Sequence, residues 1–230
     1  MDRGLYIAAS GMISELVRQD QLANNLANVS TAGYKADRVS QKSFGDMLLT
    51  NTMTGQVIGP LGAGSEITQD TTDFSQAALK QTGEPLDMAI TGQGFFGIQT
   101  SAGVRYTRDG SFQTGPGGIL VDQLGNPVLG ANNQSIKLQA DGTVPASAVG
   151  VFNVTTPVKQ GDGLFNGTAA GAGTGKVSTG ELEGSGVDSA HTIVDMMASL
   201  RAFEASQRAI TTIDGTLHQA ASQVGNLNGA

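Results

Sequence analysis

The sequence predicts an α+β fold: long N- and C-terminal helices that pair as a coiled coil, and between them a central antiparallel β-rich domain. Three observations predict it. Apolar residues recur at helical spacing over residues 3–28 and again over 187–224. Between residues 85 and 156 the period changes to two. Turn dipeptides punctuate that middle stretch, in a chain of 230 residues with 33 glycines.

The C-terminal run is the strongest element. Counted in sevens, Met196, Phe203, Ile210, Leu217 and Val224 form an unbroken apolar column. A second column, Ile193, Leu200, Gln207, Asp214 and Ala221, is apolar at three of five places. No proline interrupts the run, and Gly215 lies off both columns. Asp188 or Ser189 can cap the first turn with a side-chain oxygen. Such a helix is roughly 50 Å long and carries a narrow seam for another helix. The partner is read at the other end of the chain. Leu5, Ala8, Ala9, Met12, Ile13, Leu16, Leu22, Ala23, Leu26 and Ala27 give a helix over 3–28 with one apolar face. The apolar surface that these two helices bury on each other is small against the entropy of ordering them. Both are therefore expected to order fully only when neighbouring subunits add their own seams.

The remaining segments follow in order. Residues 1–35 make the N-terminal helix and the turn that ends it: Asn24, Asn25 and Asn28 weaken the helix and Gly33 supplies a left-handed exit. Residues 36–84 are expected as an extended or loop connection, with 44–49 a short helix or strand. Residues 50–64, holding four glycines and a proline, read as a mobile loop. Residues 85–158 are the β-rich domain: Leu86, Met88 and Ile90 alternate, and Phe96 with Ile98, Val104 with Tyr106 and Ile136 with Leu138 follow. Short strands about ten residues apart predict a sheet closed or folded upon itself. Residues 159–186, almost purely small over 169–175, read as a flexible Gly/Ala-rich linker. Residues 187–230 are the C-terminal helix, and no internal repeat is present.

Composition narrows the function classes. A net charge of −7 and a pI near 4.7 speak against nucleic acid and anionic membranes as partners. No stretch approaches about 18 consecutive apolar residues, so direct membrane insertion is not expected. The first ten residues lack a basic leader with a sustained apolar core, and no cleaved signal peptide is expected. With no cysteine there is neither a disulfide nor a thiolate metal site.

No catalytic, cofactor or metal site is predicted. Gly92-Gln93-Gly94-Phe95-Phe96-Gly97 fits G-x-G-x-x-G, but a strand-like run follows it where dinucleotide binding needs a helix N-terminus. His191 and His218 stand 27 residues apart on one predicted helix and point to opposite faces, so they cannot share a metal. The aspartates at 109, 122 and 141 lack the spacing of a calcium loop. Glu181 and Glu183 sit in the expected linker, without an apolar pocket to split their pKa values. No Gly-x-Ser-x-Gly elbow occurs.

Three blocks carry a family resemblance. Ala23, Asn24, Asn25, Ala27, Asn28, Thr31, Gly33, Tyr34 and Lys35 stand in the register Ala-Asn-Asn-x-Ala-Asn-x-x-Thr-x-Gly-Tyr/Phe-Lys. A central block runs through Ile90, Gly92, Gly94, Phe95 and Phe96, then Tyr106-Thr107-Arg108-Asp109-Gly110-x-Phe112, then Gly118 to Gly130. A third comprises Gly180-Glu181-Leu182-Glu183-x-Ser185-x-Val187-Asp188, Met196-Met197, Arg201, Phe203-Glu204 and Asp214. Over residues 1–45, 70–130 and 180–225 the chain resembles the bacterial flagellar rod and hook proteins. It departs from them at Gly186, where most relatives have Asn.

The resemblance implies a structural subunit of the flagellar basal-body rod, which spans the periplasm, and no enzyme. It implies synthesis in the cytoplasm and unfolded passage through the flagellar type III export apparatus. It also implies assembly with copies of itself and with other rod and hook subunits, the helices forming an inner tube. The expected assembly residues are Leu5, Met12, Leu16, Leu26, Ile193, Met196, Leu200, Phe203, Ile210 and Leu217. Met1-Asp2-Arg3-x-x-Tyr6, Thr72-Asp73-Phe74-Ser75 and the short chain favour a proximal-rod member, with a distal-rod or hook subunit as the alternative. From another class, the alternative is a non-catalytic β module that binds cell-wall glycan or peptide and oligomerises through its helices.

Overall fold

The computed structural model describes residues 2–43, 47–50, 57–61 and 64–226. Helix α1 (Asp2–Ala27) is followed by strands β1 (Asp37–Ser43), β2 (Met47–Thr50), β3 (Val57–Leu61), β4 (Ser65–Thr72) and β5 (Leu79–Gln81). Then come β6 (Met88–Thr91), β7 (Phe95–Thr100), β8 (Gly103–Thr107), β9 (Gln113–Thr114), β10 (Leu120–Val121) and β11 (Val128–Leu129). After a short 3₁₀ turn, β12 (Val151–Gly161), β13 (Leu164–Ala172), β14 (Lys176–Thr179) and β15 (Glu181–Glu183) lead to α2 (Ser189–Asn226). The chain divides into two compact units: Met1–Leu26, Asp37–Thr71 and Ser189–Ala230 form one, and Ala27–Ala36 with Thr72–Asp188 the other. The fold class is α+β, with a helix at each end and an antiparallel β-rich middle.

In the first unit α1 and α2 run antiparallel. The Ser199 hydroxyl donates to the Glu15 carboxylate at 2.6 Å. A Cβ placed on Gly11 would meet Ser206 Oγ at 3.7 Å, and one on Gly4 would meet Ile213 Cδ1 at 3.3 Å. Partner numbers thus fall as α1 advances. The covered positions of α2 are Thr192, Asp195, Met196, Ser199, Phe203, Ser206, Ile210, Ile213 and Leu217, all but Asp195 at alternating spacings of four and three. The expected column lies in this stripe from Met196 to Leu217; the side chain of Val224, its last member, lies outside the described ones. The second expected column does not: Ile193 and Leu200 are 45% and 48% exposed, and Thr192, Ser199, Ser206 and Ile213, one residue earlier, are covered in their place. Counting only apolar residues hides this, because a small hydroxyl side chain fits a close helix approach and can satisfy its own hydrogen bond on the facing helix. Beside α1, the Ser65 amide donates to Ser10 Oγ at 3.3 Å, which seats the start of β4. Residues 57–61, expected within a loop, form β3 and pair antiparallel with β2. Of the other expectations for that region, those on 44–46, 51–56 and 62–63 lie outside the described residues.

The second unit is built on a closed ring. Strand β7 pairs with β8 and β12, β12 with β13, and β13 with β8, all antiparallel. The ring closes where β12 meets β7 at Val151 and Phe152 and where β13 meets β8 at Leu164 and Phe165; the rest of β12 and β13 pair with each other. Alternation along β7 divides the core: Phe96 and Ile98 enter a cluster with Met88, Ile90, Leu120 and Val128. Phe95 enters another with Tyr106, Phe152 and Phe165. Phe74, from the segment before β5, closes over the second cluster with its ring 5.8 Å from Phe95 and 5.4 Å from Phe165. Gly92 and Gly94 take φ of 103° and 136° and turn the chain into strand β7, so the G-x-G-x-x-G run opens no helix.

Residues 159–186, expected as a flexible linker, carry the end of β12 and all of β13, β14 and β15. The small residues act sterically here. A Cβ on Gly167 would run into Val154, one on Gly173 into Val151, and one on Gly175 into Ile90. The glycines let these strands lie directly on branched side chains, a use that composition alone does not reveal.

Beyond β8, Asp109 accepts hydrogen bonds from the Ser111 amide at 2.9 Å and the Ser111 hydroxyl at 2.6 Å. Burial nevertheless pushes its carboxyl above the ordinary range, with Asp87 and Asp122 adding to the effect against the Ser111 bonds. A raised folded-state pKa means that the native protein binds more protons than the unfolded chain above the ordinary aspartate range, so this group adds stability as pH falls through the raised value. Asp109→Asn keeps the acceptor and removes the charge. Urea midpoints measured from pH 4 to 8 should show the variant more stable than the parent at neutral pH, with the difference shrinking towards pH 4.

Candidate functional site

The first signature block forms the exit from α1. Asn25 clamps the chain where it leaves: its Nδ2 donates to Asp37 O at 2.8 Å and its Oδ1 accepts from the Asp37 amide at 3.2 Å. The Asn28 carbonyl accepts from the Thr31 amide at 3.2 Å and the Thr31 hydroxyl donates to Asn28 Oδ1 at 3.2 Å, closing a turn. Gly33 takes φ of 65°, and a Cβ there would strike the Arg108–Asp109 peptide. Only glycine meets both demands. Tyr34 is buried and carries Lys159 Nζ 4.1 Å from its ring centroid. Ala23, Asn24 and Ala27 are exposed.

The last residue of that block, Lys35, is 1% exposed and enters a buried charge cluster. Its Nζ lies 2.7 Å from Glu183 Oε1 and donates to Ser75 O at 2.7 Å. The second Glu183 oxygen accepts from Arg108 Nη1 at 3.2 Å, and the Ala77 amide donates to Oε1 at 2.9 Å. Arg108 also donates to Gly92 O at 2.8 Å, and its guanidinium stands 5.3 Å from the centre of the Phe95 ring. Lys35, Arg108 and Glu183 come one each from the three signature blocks. Burial holds the Lys35 ammonium below its usual pKa range, outweighing the bond and attraction from Glu183; Arg108 adds to the lowering.

This cluster is chemically closed. The Glu183 side chain is fully buried and already accepts three donors, so it offers no surface to a substrate. Its arrangement suits joining chain segments. The Gly33 amide donates to Glu183 O at 2.8 Å, the Gly186 amide to Tyr34 O at 2.8 Å, and the Ser185 hydroxyl to Asn28 O at 2.9 Å. Residues 28–36 and 183–186 thus lie side by side in the second unit. Sequence reasoning had all three charged residues inside signature blocks but saw no link between them. Separations of 148 and 75 residues leave no local signal. Among the described residues no group of three or more His, Asp or Glu is placed to hold a metal ion. His191 is exposed, 3.6 Å from Asp195, and His218 is exposed on α2.

The expected assembly residues divide by exposure. Leu5, Met12, Leu26, Met196, Phe203, Ile210 and Leu217 are half-buried, whereas Leu16, Ile193 and Leu200 are exposed. They have exposed apolar neighbours: Tyr6, Ile13 and Val17 on α1, and Val194 and Met197 on α2.

Removing Glu183, the only carboxylate bonded to Lys35 and Arg108 among the described residues, leaves two cations together out of water, while removing Lys35 leaves the Arg108–Glu183 pair. Urea denaturation should therefore show Glu183→Ala losing about 3–5 kcal/mol and Lys35→Met losing clearly less.

Comparison with known proteins agrees with these three blocks. Family models match at residues 5–35 (flagella basal body rod protein), 89–154 (flagellar hook protein FlgE/F/G D1 domain) and 178–223 (flagellar basal body rod FlgEFG protein C-terminal). The chain is 31% identical to the flagellar basal-body rod protein FlgG of Bacillus subtilis, over 95% of this chain and 98% of that one. It is 30% identical to FlgF of Caulobacter vibrioides, over 99% of this chain and the whole of its relative. With FlgF of Salmonella typhimurium the identity is 32%, over 93% and 95% of the two chains. The chain belongs to the family of flagellar basal-body rod proteins.

Proposed function

We propose that this chain is a structural subunit of the flagellar basal-body rod, exported unfolded and polymerised through α1 and α2. Family membership supports the rod assignment. The observation that carries the assembly reading is where the exposed apolar side chains lie. Of the thirteen large apolar residues exposed among the described ones, nine are on the two helices: Tyr6, Ile7, Ile13, Leu16, Val17, Ile193, Val194, Met197 and Leu200. A concentration of this kind on two helices is what an interaction surface requires.

On this reading the covered stripes of α1 and α2 pair as a coiled coil. The alternating three-and-four spacing on α2 supports this pairing. The exposed stripes then meet neighbouring subunits of the same family in contacts that do not close, as a growing tube needs. The role is structural rather than catalytic, and the site of action is the basal body. Thr72-Asp73-Phe74-Ser75, whose Phe74 packs on the β core, and the N-terminal Met1-Asp2-Arg3-x-x-Tyr6 favour the proximal rod.

Leu200→Asp places a charge on the exposed stripe without touching the β core, and Phe203→Ala thins the covered one. Each variant should be produced normally with a folded β unit. Electron micrographs of basal bodies should then show no complete rod, and cells should not swim. Normal rods and swimming in the Leu200→Asp strain would overturn the assembly reading.

A further inference from the structure

The ring β7–β12–β13–β8 is topologically complete at residue 172. What covers it comes later. Strand β14 lies along β6, pairing Val177 with Ile90 and Thr179 with Met88, and β15 lies along β5, pairing Glu183 with Leu79. Gly175 donates to Gln93 O at 2.9 Å, Gly180 to Asp87 O at 2.8 Å and Gly184 to Ala78 O at 2.9 Å. In the reverse direction, Thr82 and Gly83 both donate to Gly180 O. Residues 175–186 therefore supply the partners of three separate earlier segments: the turn after α1, the β5 region and β6.

The same strip supplies the only carboxylate bonded to Lys35 and Arg108 among the described residues. Before residue 183 exists, the native positions of these two side chains would hold two positive charges side by side without their bonded carboxylate, leaving only the weaker attraction of Asp73 on Lys35. An uncompensated buried charge costs several kcal/mol. Met88, Ala89 and Ile90, none of which is exposed in the native fold, would also lose the ladder that covers them.

We propose that residues 175–186 act as a completion latch. The β unit stays unfolded until four-fifths of the chain has been made, although its ring strands are all present earlier, because Lys35 and Arg108 lack their bonded carboxylate without Glu183. The inference concerns the order of folding and does not depend on the rod assignment. If the chain is exported unfolded, the latch gives it a period in which folding cannot compete.

Native-state hydrogen exchange on the intact full-length protein, in low concentrations of urea, tests it. The latch predicts that strip amides (Gly175, Gly180, Gly184) and ring amides of β7, β8, β12 and β13 exchange through one shared opening, with equal free energy and urea dependence. Strip amides exchanging about tenfold or more faster, over a ring that stays protected, would overturn it. A second variant separates charge from general cooperativity: Lys35→Met, Arg108→Met and Glu183→Met combined remove the burial penalty. In that protein the strip should open independently of the ring. A shared opening that persists there would remove the charges from the explanation and refute the latch as stated.

Discussion

A carboxylate taken out of water needs donors on every side, and Glu183 has them from three distant parts of the chain. Lys35, Arg108 and the Ala77 amide converge on its two oxygens. The desolvation of two cations and an anion is repaid only in close geometry, so the surrounding backbone is fixed with little latitude. Gly33 must pass against the Arg108–Asp109 peptide with no side chain, and Ser75 must turn its carbonyl to Lys35. This is how signature residues far apart in sequence become one structural unit.

Beside that constraint the second unit holds a ring of strands closed through β7–β12 and β13–β8. The aromatic residues Phe74, Phe95 and Phe165 fill one face, and the Arg108 guanidinium stands over Phe95 at the rim. The glycine-rich later strands can follow the ring closely because nothing projects from them towards Val151, Val154 and Ile90. In the first unit the terms are weaker. Helix α2 extends over 38 residues, about 57 Å at 1.5 Å per residue, yet its covered stripe is interrupted by Thr192, Ser199 and Ser206. Such a seam holds a helix pair in register while leaving much apolar surface outward. A subunit with one unit tightly fixed and another underburied suits an assembly in which neighbours complete the packing.

Much of this was legible in the residues. Helix α1 falls within one residue of its predicted limits and α2 begins two residues after its predicted start, because heptad columns are local signals; residues 227–230 of the expected helix lie outside the described residues. The column Met196, Phe203, Ile210 and Leu217 was readable for the same reason. Its companion was not: Ser199 and Ser206 look like solvent-facing residues until the facing helix supplies Glu15 and Gly11. The alternation of Phe96 with Ile98 was readable, but Ala89, buried between Met88 and Ile90, shows a strand covered on both faces. The strands over 159–186 escaped because glycine and alanine carry a flexible-linker signature in composition and a close-packing role in space. The charge cluster escaped entirely, since an ion pair across 148 residues has no periodicity to read.

The second unit depends on Lys35 and Glu183 being energetically joined and not merely adjacent. A double-mutant cycle with Lys35→Met, Glu183→Met and the combined variant, followed by urea unfolding of the full chain, measures that coupling directly. A coupling energy above about 1 kcal/mol is the predicted result, and effects that add within about 0.5 kcal/mol would contradict it.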